Sequence, residues 1–523
     1  MSMTCFADTT HRRDINTARA LLERAQASAA WCPTPAPEHS LELPRPWDPR
    51  RIVPSTELSR GHFLERYITA PALLAAAEVR RVLEQVELPI RIYGTGTMPA
   101  STNVASHYAE HAWTRDTAIC ALALVHSGRA VEGLQALTHL AVFYNQPAQR
   151  HRFLRFHDRE QARDRYLNPD CSLHPHIKGR ICQVTRRLVH YEHPWGHNQL
   201  DAIGMWLYAI FTCANEGLLN LGVVDAELTR SVNGDNSFDS IFCVALKFLA
   251  RIRYFEQHDT GPWEDRNLPR RATSMGSCLA AFRAAHRFFA RDGWAAWSKG
   301  YPPGAGSLRS EVEEAIERGE RSLEQRVDPW GDYAIENDRF SADASLIFLL
   351  HPFNPGLHRA QEDAILRTVY RDRMGEIGFT RRCEDDYVGM DYAHERHLGG
   401  VMARLDQPGY RAAEWSLFDP LLAAFYYRRF VDSAGLDRGS LEFADRHLKR
   451  ALTQVTSTPD MFSKASNGQL VFIEAGVVPE AWWFDSREGR WRANENTPLP
   501  MTAAAYTFMF EAALTALRDP VEQ

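Results

Sequence analysis

In the stretch Gly261-Pro262-Trp263-Glu264-Asp265-Arg266 two carboxylates follow a tryptophan, between two segments of helical periodicity. Such an arrangement can present an acid. A Gly-Pro pair ends the preceding helical run and fixes a loop, and the apolar face of Trp263 would raise the pKa of a neighbouring carboxyl. A carboxyl raised in this way can donate a proton at neutral pH. The same residues would serve as well as a core aromatic beside two solvated loop charges, or as an acidic pair that starts a helix.

Four further stretches combine aromatic, acidic and basic residues at helix boundaries: His111-Ala-Trp113-Thr-Arg115-Asp116, Tyr191 to Asp201 (containing Trp195-Gly-His-Asn-Gln-Leu-Asp201), Gly378 to Tyr387 (containing Arg381-Arg382-Cys383-Glu384-Asp385), and Val478-Pro-Glu480-Ala-Trp482-Trp483 followed by Glu495-Asn496-Thr-Pro-Leu499. Aromatic faces stack on the apolar face of a pyranose, and charged forks take its hydroxyls. One such loop says little, since Asp116 and Asp201 are equally suited to favour a helix N-terminus. Five loops recurring along one helical region point to a saccharide pocket.

The elements that would position these loops are helices. Apolar residues recur at i, i+3, i+4, i+7 over roughly 115–127, 131–145, 198–219, 237–256, 273–292, 307–325, 341–351, 360–370, 411–432, 441–454 and 501–517. Strand signals are few, the main one being Ile90 to Met98, which reads as a short strand running into a Gly loop; its Gly-Thr-Gly-Thr lacks the frame of a phosphate cradle. Some helices are apolar nearly all round, as an inner ring of a double-layered barrel would be. Composition does not break after residue 90, so one all-α domain over 61–523 is expected. It is preceded by a Pro-rich, partly extended arm over 1–60.

Sixty basic and 66 acidic residues are mixed along the chain, giving a net charge of -6 and no broad positive field for a phosphate backbone. Nucleic acid is therefore not an expected partner. No window is apolar enough for a membrane helix and the N-terminus has no secretory h-region. The nine cysteines are scattered and several lie in apolar helical runs, as reduced thiols of a cytoplasmic protein would. No metal-ligand spacing is present, and neither a metal nor a cofactor is expected.

The motifs resemble those of glycoside hydrolase family 15, the glucoamylase-like enzymes, and of the related helical domain of phosphorylase kinase α and β subunits. Trp113-x-Arg115-Asp116 is similar to the family's W-x-RD element, Trp195 to Asp201 to WG-x-x-Q-x-D, Trp263-Glu264-Asp265 to WEE/WED, Arg381 to Asp385 to RY-x-x-D, and Pro479-Glu480 with Asn496-Thr-Pro-Leu499 to the PE and TPL elements, in the family's order. The resemblance implies an (α/α) six-hairpin barrel and inverting, exo-acting hydrolysis that releases β-glucose from the non-reducing end of small α-glucosides. It makes Glu264 the general acid and Glu480 the general base. It places Arg115, Asp116, Asp265 and Arg381 (or Arg382, one register on) on sugar hydroxyls, Trp113, Trp195 and Trp263 in the pocket walls, and Asp201 behind the second loop. Cys383 and Pro500-Met501 depart from the family pattern and bear on substrate preference. The competing expectation is a non-catalytic carbohydrate-sensing domain of the phosphorylase kinase type. The sequence leaves self-association open.

Overall fold

The structure is a computed structural model that describes residues 51–104, 106–154, 178–181, 188–190, 199–233, 240–263, 269–297, 307–328, 333–337, 342–380, 411–463, 469–485 and 488–518. Its helices are α1 (Ala76–Leu83), α2 (Thr114–His126), α3 (Ala130–Tyr144), α4 (Pro147–Leu154), α5 (Leu200–Asn215), α6 (Leu221–Asn233), α7 (Ile241–Arg251), α8 (Ala272–Asp292), α9 (Leu308–Glu324), α10 (Arg359–Asp372), α11 (Phe418–Asp432), α12 (Arg438–Thr453) and α13 (Pro500–Ala516), besides single turns and a 3-10 segment at Ala344–Leu349.

Two kinds of helix sequence sort into two layers. In α2, whose sequence is TRDTAICALALVH, every residue from Thr114 to Leu124 is buried. A helix apolar all round must lie inside. In α9 only Leu308, Val312, Ala315, Gly319 and Leu323 are buried, at three- and four-residue spacing. Its outer face carries Arg–Glu pairs one turn apart, and the Ser307 side chain caps its first turn.

The inner elements close a ring in the order α2, α5, α8, the 3-10 segment, α11, α13 and back to α2; α3, α7, α9, α10, α12 and α1 pack outside it. This is the expected (α/α) six-hairpin barrel. Because each inner element is separated from the next by an outer one, all six run in the same direction. Their N-termini gather at one end, where Asp116, Asp201 and Asp419 stand in first turns and Asp343 caps the 3-10 segment. Aspartates there complement the positive end of each helix.

The strands are short and lie among the loops. They form three antiparallel sheets: β1 (His111–Trp113), β2 (Lys178–Ile181) and β3 (Leu188–His190); β4 (Phe379–Thr380), β5 (Glu414–Trp415), β8 (Ala481–Asp485) and β9 (Arg490–Ala493), ordered β4-β5-β8-β9; and β6 (Asp460–Ser463) with β7 (Leu470–Ile473).

Several sequence expectations are corrected. Residues 90–98 form no strand; Tyr93 and Thr97 instead close a turn, Tyr93 N–H to Thr97 O at 2.9 Å. The helix expected over 341–351 is a 3-10 segment, capped by Asp343 and ended before Pro352. The one expected from 411 starts at Phe418, because Glu414 and Trp415 are taken as a strand by β8. Apart from these corrections, Ile52 is buried in the main core and Val53 O accepts from Arg450 at 3.4 Å.

Candidate active site

The N-terminal end of the ring carries two carboxylate clusters. The first centres on Glu480, which is 9% exposed and immediately precedes β8. Asn494 Nδ2 donates to Glu480 Oε2 at 2.6 Å and Asn496 Nδ2 donates to the same oxygen at 2.7 Å. Among the described residues no hydrogen bond is made to Oε1. Both asparagines are held in turn: Asn494 N–H donates to Ala481 O at 3.0 Å, and the Ser106 hydroxyl donates to Asn496 Oδ1 at 2.7 Å.

Burial pushes the Glu480 carboxyl up to about 7, against the two amides, which favour its charged form; the charges of Glu495 and Asp116 push it further up. That interaction draws Asp116, in the first turn of α2, and Glu480, ahead of α13, into one electrostatic site although they are distant in sequence. Trp113, three residues before Asp116, is buried on β1, its ring edge-to-face with Tyr108 at 5.0 Å and with His111 at 5.5 Å.

The second cluster lies around Gly261 and Trp263, the described residues that precede Glu264. Arg115 Nη1 donates to Asp201 Oδ2 at 2.8 Å in a pair 5% and 0% exposed, and to Gly261 O at 3.4 Å. Asp259 Oδ2 accepts from Leu200 N–H at 3.2 Å and from the Ser274 hydroxyl at 2.7 Å. The Asp259 N–H reaches Pro269 O at 3.2 Å, which closes the neck of the loop. Gly261 has φ +58, and a Cβ there would run into the Arg271 side chain. Trp263 is half-buried, its indole N–H on Asp343 Oδ1 at 2.8 Å and its ring edge-to-face on Trp415 at 4.8 Å. Glu336 takes the Thr273 N–H at 3.0 Å and its hydroxyl at 2.8 Å. Burial raises the carboxyls of Asp259 and Glu336, and the nearby charges of Asp201 and Asp343 respectively add to it; Arg271 opposes both.

The site residues expected from sequence therefore divide. Asp116 lies within electrostatic reach of Glu480. Arg115 and Asp201 form a buried ion pair. Trp263 immediately precedes Glu264 and is hydrogen-bonded to Asp343. Glu264, Asp265, Trp195, Arg381 and Arg382 lie outside the described residues, as does Cys383. Pro500 opens α13 as its first residue, which its fixed φ suits. Trp482 is buried in a second apolar cluster with its N–H on Gln454 O at 3.2 Å. Asn494, Asp259, Glu336 and Asp343 were not singled out by sequence; the only signal for Asn494 is its place two residues before Asn496 in a conspicuously polar stretch. Cys120, Cys213, Cys243 and Cys278 are free and buried. Among the described residues no group of His, Cys, Asp and Glu could hold a metal ion, and no helix is long and apolar enough to cross a membrane.

Residues 81–338 match the family model of glycosyl hydrolases family 15. That stretch, just under half of the chain, is family 15 in sequence. The chain is accordingly a glycoside hydrolase, and the matched residues take in Trp113 to Asp116, Asp201 and Trp263 but end before Glu480. Among solved structures, a wild-type glycosidase is similar at 20% identity and TM-score 0.54, covering 85% of this chain and 100% of its own. The glucoamylase of Saccharomycopsis fibuligera is similar at 15% identity and TM-score 0.53, covering 86% and 99%. At these identities the likeness is one of fold, and it agrees with the closed ring of six inner elements. No curated protein sequence matches the chain significantly.

Proposed function

We propose that the protein is an inverting, exo-acting α-glucosidase that releases β-glucose from the non-reducing end of small α-glucosides or soluble α-glucans. Glu480 is the general base and Glu264 the general acid. The observation that carries this reading is the holding of Glu480. Two amides fix Oε2 while Oε1 is left for a water, and burial brings the carboxyl to about 7, where a base is both ionised enough and basic enough to work near neutral pH.

In the reaction Glu264 would give its proton to the glycosidic oxygen as the bond to the anomeric carbon breaks. Glu480 would take a proton from the water attacking the opposite face. Asp116 would accept hydroxyls of the terminal sugar, while Trp113 and Trp263, with Trp195, would wall the pocket; Asp265 and Arg381 or Arg382 would complete it. Arg115 serves this pocket from behind, through Asp201 and Gly261 O. A glycosidase of similar fold has been solved in complex with glucose, which accords with a glucosyl substrate.

Proton NMR of the first-formed anomer on maltose, isomaltose, kojibiose and trehalose tests the proposal. β-Glucose is expected, and Glu264→Gln and Glu480→Gln are each expected to abolish its release. First-formed α-glucose would overturn inversion. Absence of turnover on the whole panel would favour a carbohydrate-sensing domain.

A further inference from the structure

The two-residue strand β5 touches the sequence neighbour of each proposed catalytic carboxyl. On one side Trp415 pairs with Ala481, next to Glu480, and the Ser416 N–H donates to Glu480 O at 3.1 Å. On the other side the Trp415 ring meets Trp263, next to Glu264, at 4.8 Å edge-to-face.

The strand is anchored through Glu414, whose side chain is buried. Its Oε1 accepts the Glu376 N–H at 3.1 Å, and its Oε2 accepts the N–H groups of Ile377 at 2.6 Å and Gly378 at 2.7 Å. Three consecutive backbone donors around one carboxylate form an anion nest. The turn needs a glycine at 375, where a Cβ would run into the Glu414 carboxylate.

The carbonyls of the same turn are gripped from behind. Arg450 Nη2 donates to Gly375 O at 2.8 Å and Gly378 O at 2.6 Å, and Gln454 Nε2 donates to Ile377 O at 2.8 Å. Arg450 Nε and Gln454 Nε2 both also reach Asp419 Oδ2, at 3.0 and 2.7 Å, in the first turn of α11. Glu414 is thus tied to the inner ring through Arg450, Gln454 and Asp419.

We propose that Glu414 is a positioning residue for hydrolysis: by seating β5, it sets the separation between Glu480 and the Trp263-bearing acid loop. The inference rests on the reading of Glu264 and Glu480 as acid and base. An inverting pair must stand about 6.5–9.5 Å apart to admit its water, and a misplacement of about 1 Å can cost roughly 100-fold in rate. Because Glu414 acts on spacing and not on the sugar, its loss should appear in kcat and leave KM nearly unchanged.

The test compares Glu414→Gln, Glu414→Ala, Trp415→Phe and Trp415→Ala in the full chain on whichever disaccharide of the panel is turned over, with Glu480→Gln as control. Thermal unfolding and backbone hydrogen exchange are followed on each variant. Gln keeps one acceptor but turns an NH2 toward the backbone donors. Glu414→Gln is therefore expected to remain folded, to lose roughly 10- to 100-fold in kcat with KM within about twofold, and to speed exchange in the peptide containing Ser416 and in that containing Ala481. Trp415→Ala should lose kcat with it, and Trp415→Phe, which keeps an aromatic edge for Trp263, much less. Should Glu414→Ala fail to fold, the Gln variant and the Trp415 pair still decide. Folded Glu414→Gln with wild-type kcat, or with a raised KM alone, would overturn the positioning role. An active Glu480→Gln would instead overturn the assignment of the base.

Discussion

The two carboxylate clusters at the same end of the barrel are both buried, and both hold carboxyls above their ordinary range, yet they are built from different partners. Glu480 is held by neutral amides on one oxygen. Asp201 is locked to a guanidinium, and Asp259 and Glu336 have backbone and hydroxyl donors with Arg271 near them. A neutral donor steadies a carboxylate and still lets it exchange a proton with a bound water. An ion pair fixes the charge and spends it on architecture. The displaced pKa alone therefore does not separate a catalytic carboxyl from a structural one; the partners do.

The largest effects should break this contrast. Glu480→Gln keeps shape and amide contacts but cannot accept a proton, and is expected to cut kcat by at least about 1,000-fold with the thermal midpoint little changed. Asp201→Asn should do the reverse. It leaves the Arg115 charge buried without its counter-charge, at a cost of about 3–5 kcal/mol in unfolding free energy, read by denaturant titration. Arg115→Leu combined with Asp201→Leu should recover much of that loss. A single Asp201→Asn protein with full stability and no activity would move Asp201 into the chemistry and erase the contrast.

The pH dependence of stability should be next in size. Glu480, Asp259 and Glu336 all have folded-state pKa values raised above the unfolded ones. The folded protein then binds more protons than the unfolded chain from about pH 4, the ordinary carboxylate range, up through the folded values. Their contribution is complete below the unfolded pKa and is lost as pH rises through the folded one, so unfolding free energy should decline from about pH 5 to pH 8. Glu480→Gln should make that decline shallower without removing it, because Asp259 and Glu336 remain. An unchanged slope would mean that Glu480 is not raised in the folded state.

Much of this architecture was legible in the sequence. The all-round apolar character of α2 against the one-sided pattern of α9 separates inner from outer helices, and five aromatic-acidic loops in order carry the family. What escaped has a physical reason. The fourth inner element, Ala344–Leu349, reads as a helix over 341–351 because apolar residues recur there, and spacing alone does not distinguish a 3-10 turn from an α-helix. Residues 414–415 read as part of a helix because two residues show no alternation, and only pairing with β8 makes them a strand. The motifs mark both Arg115 and Asp201, but their pairing is visible only once α2 and α5 are side by side. The amide holders of Glu480 were invisible for a similar reason: an asparagine two residues from a motif has no periodicity to betray it.

The smallest expected effect distinguishes those two holders from ordinary loop braces. The amide of Asn496 outranks that of Asn494 in favouring the charged form of Glu480, although both bonds have nearly the same length. Asn496→Ala removes one donor and should raise the Glu480 pKa further, moving the acidic limb of the kcat profile to higher pH. At pH 7 a smaller fraction of the base is then ionised, and kcat should fall several-fold, with recovery toward pH 8. Asn496→Asp sharpens the point, since it replaces the donor by a second negative charge and should move the limb further in the same direction. If both variants lose activity equally at every pH, Asn496 holds the position of Glu480 and not its charge, and the distinction between a tuned carboxyl and a fixed one would have to rest on Asp116 and burial alone.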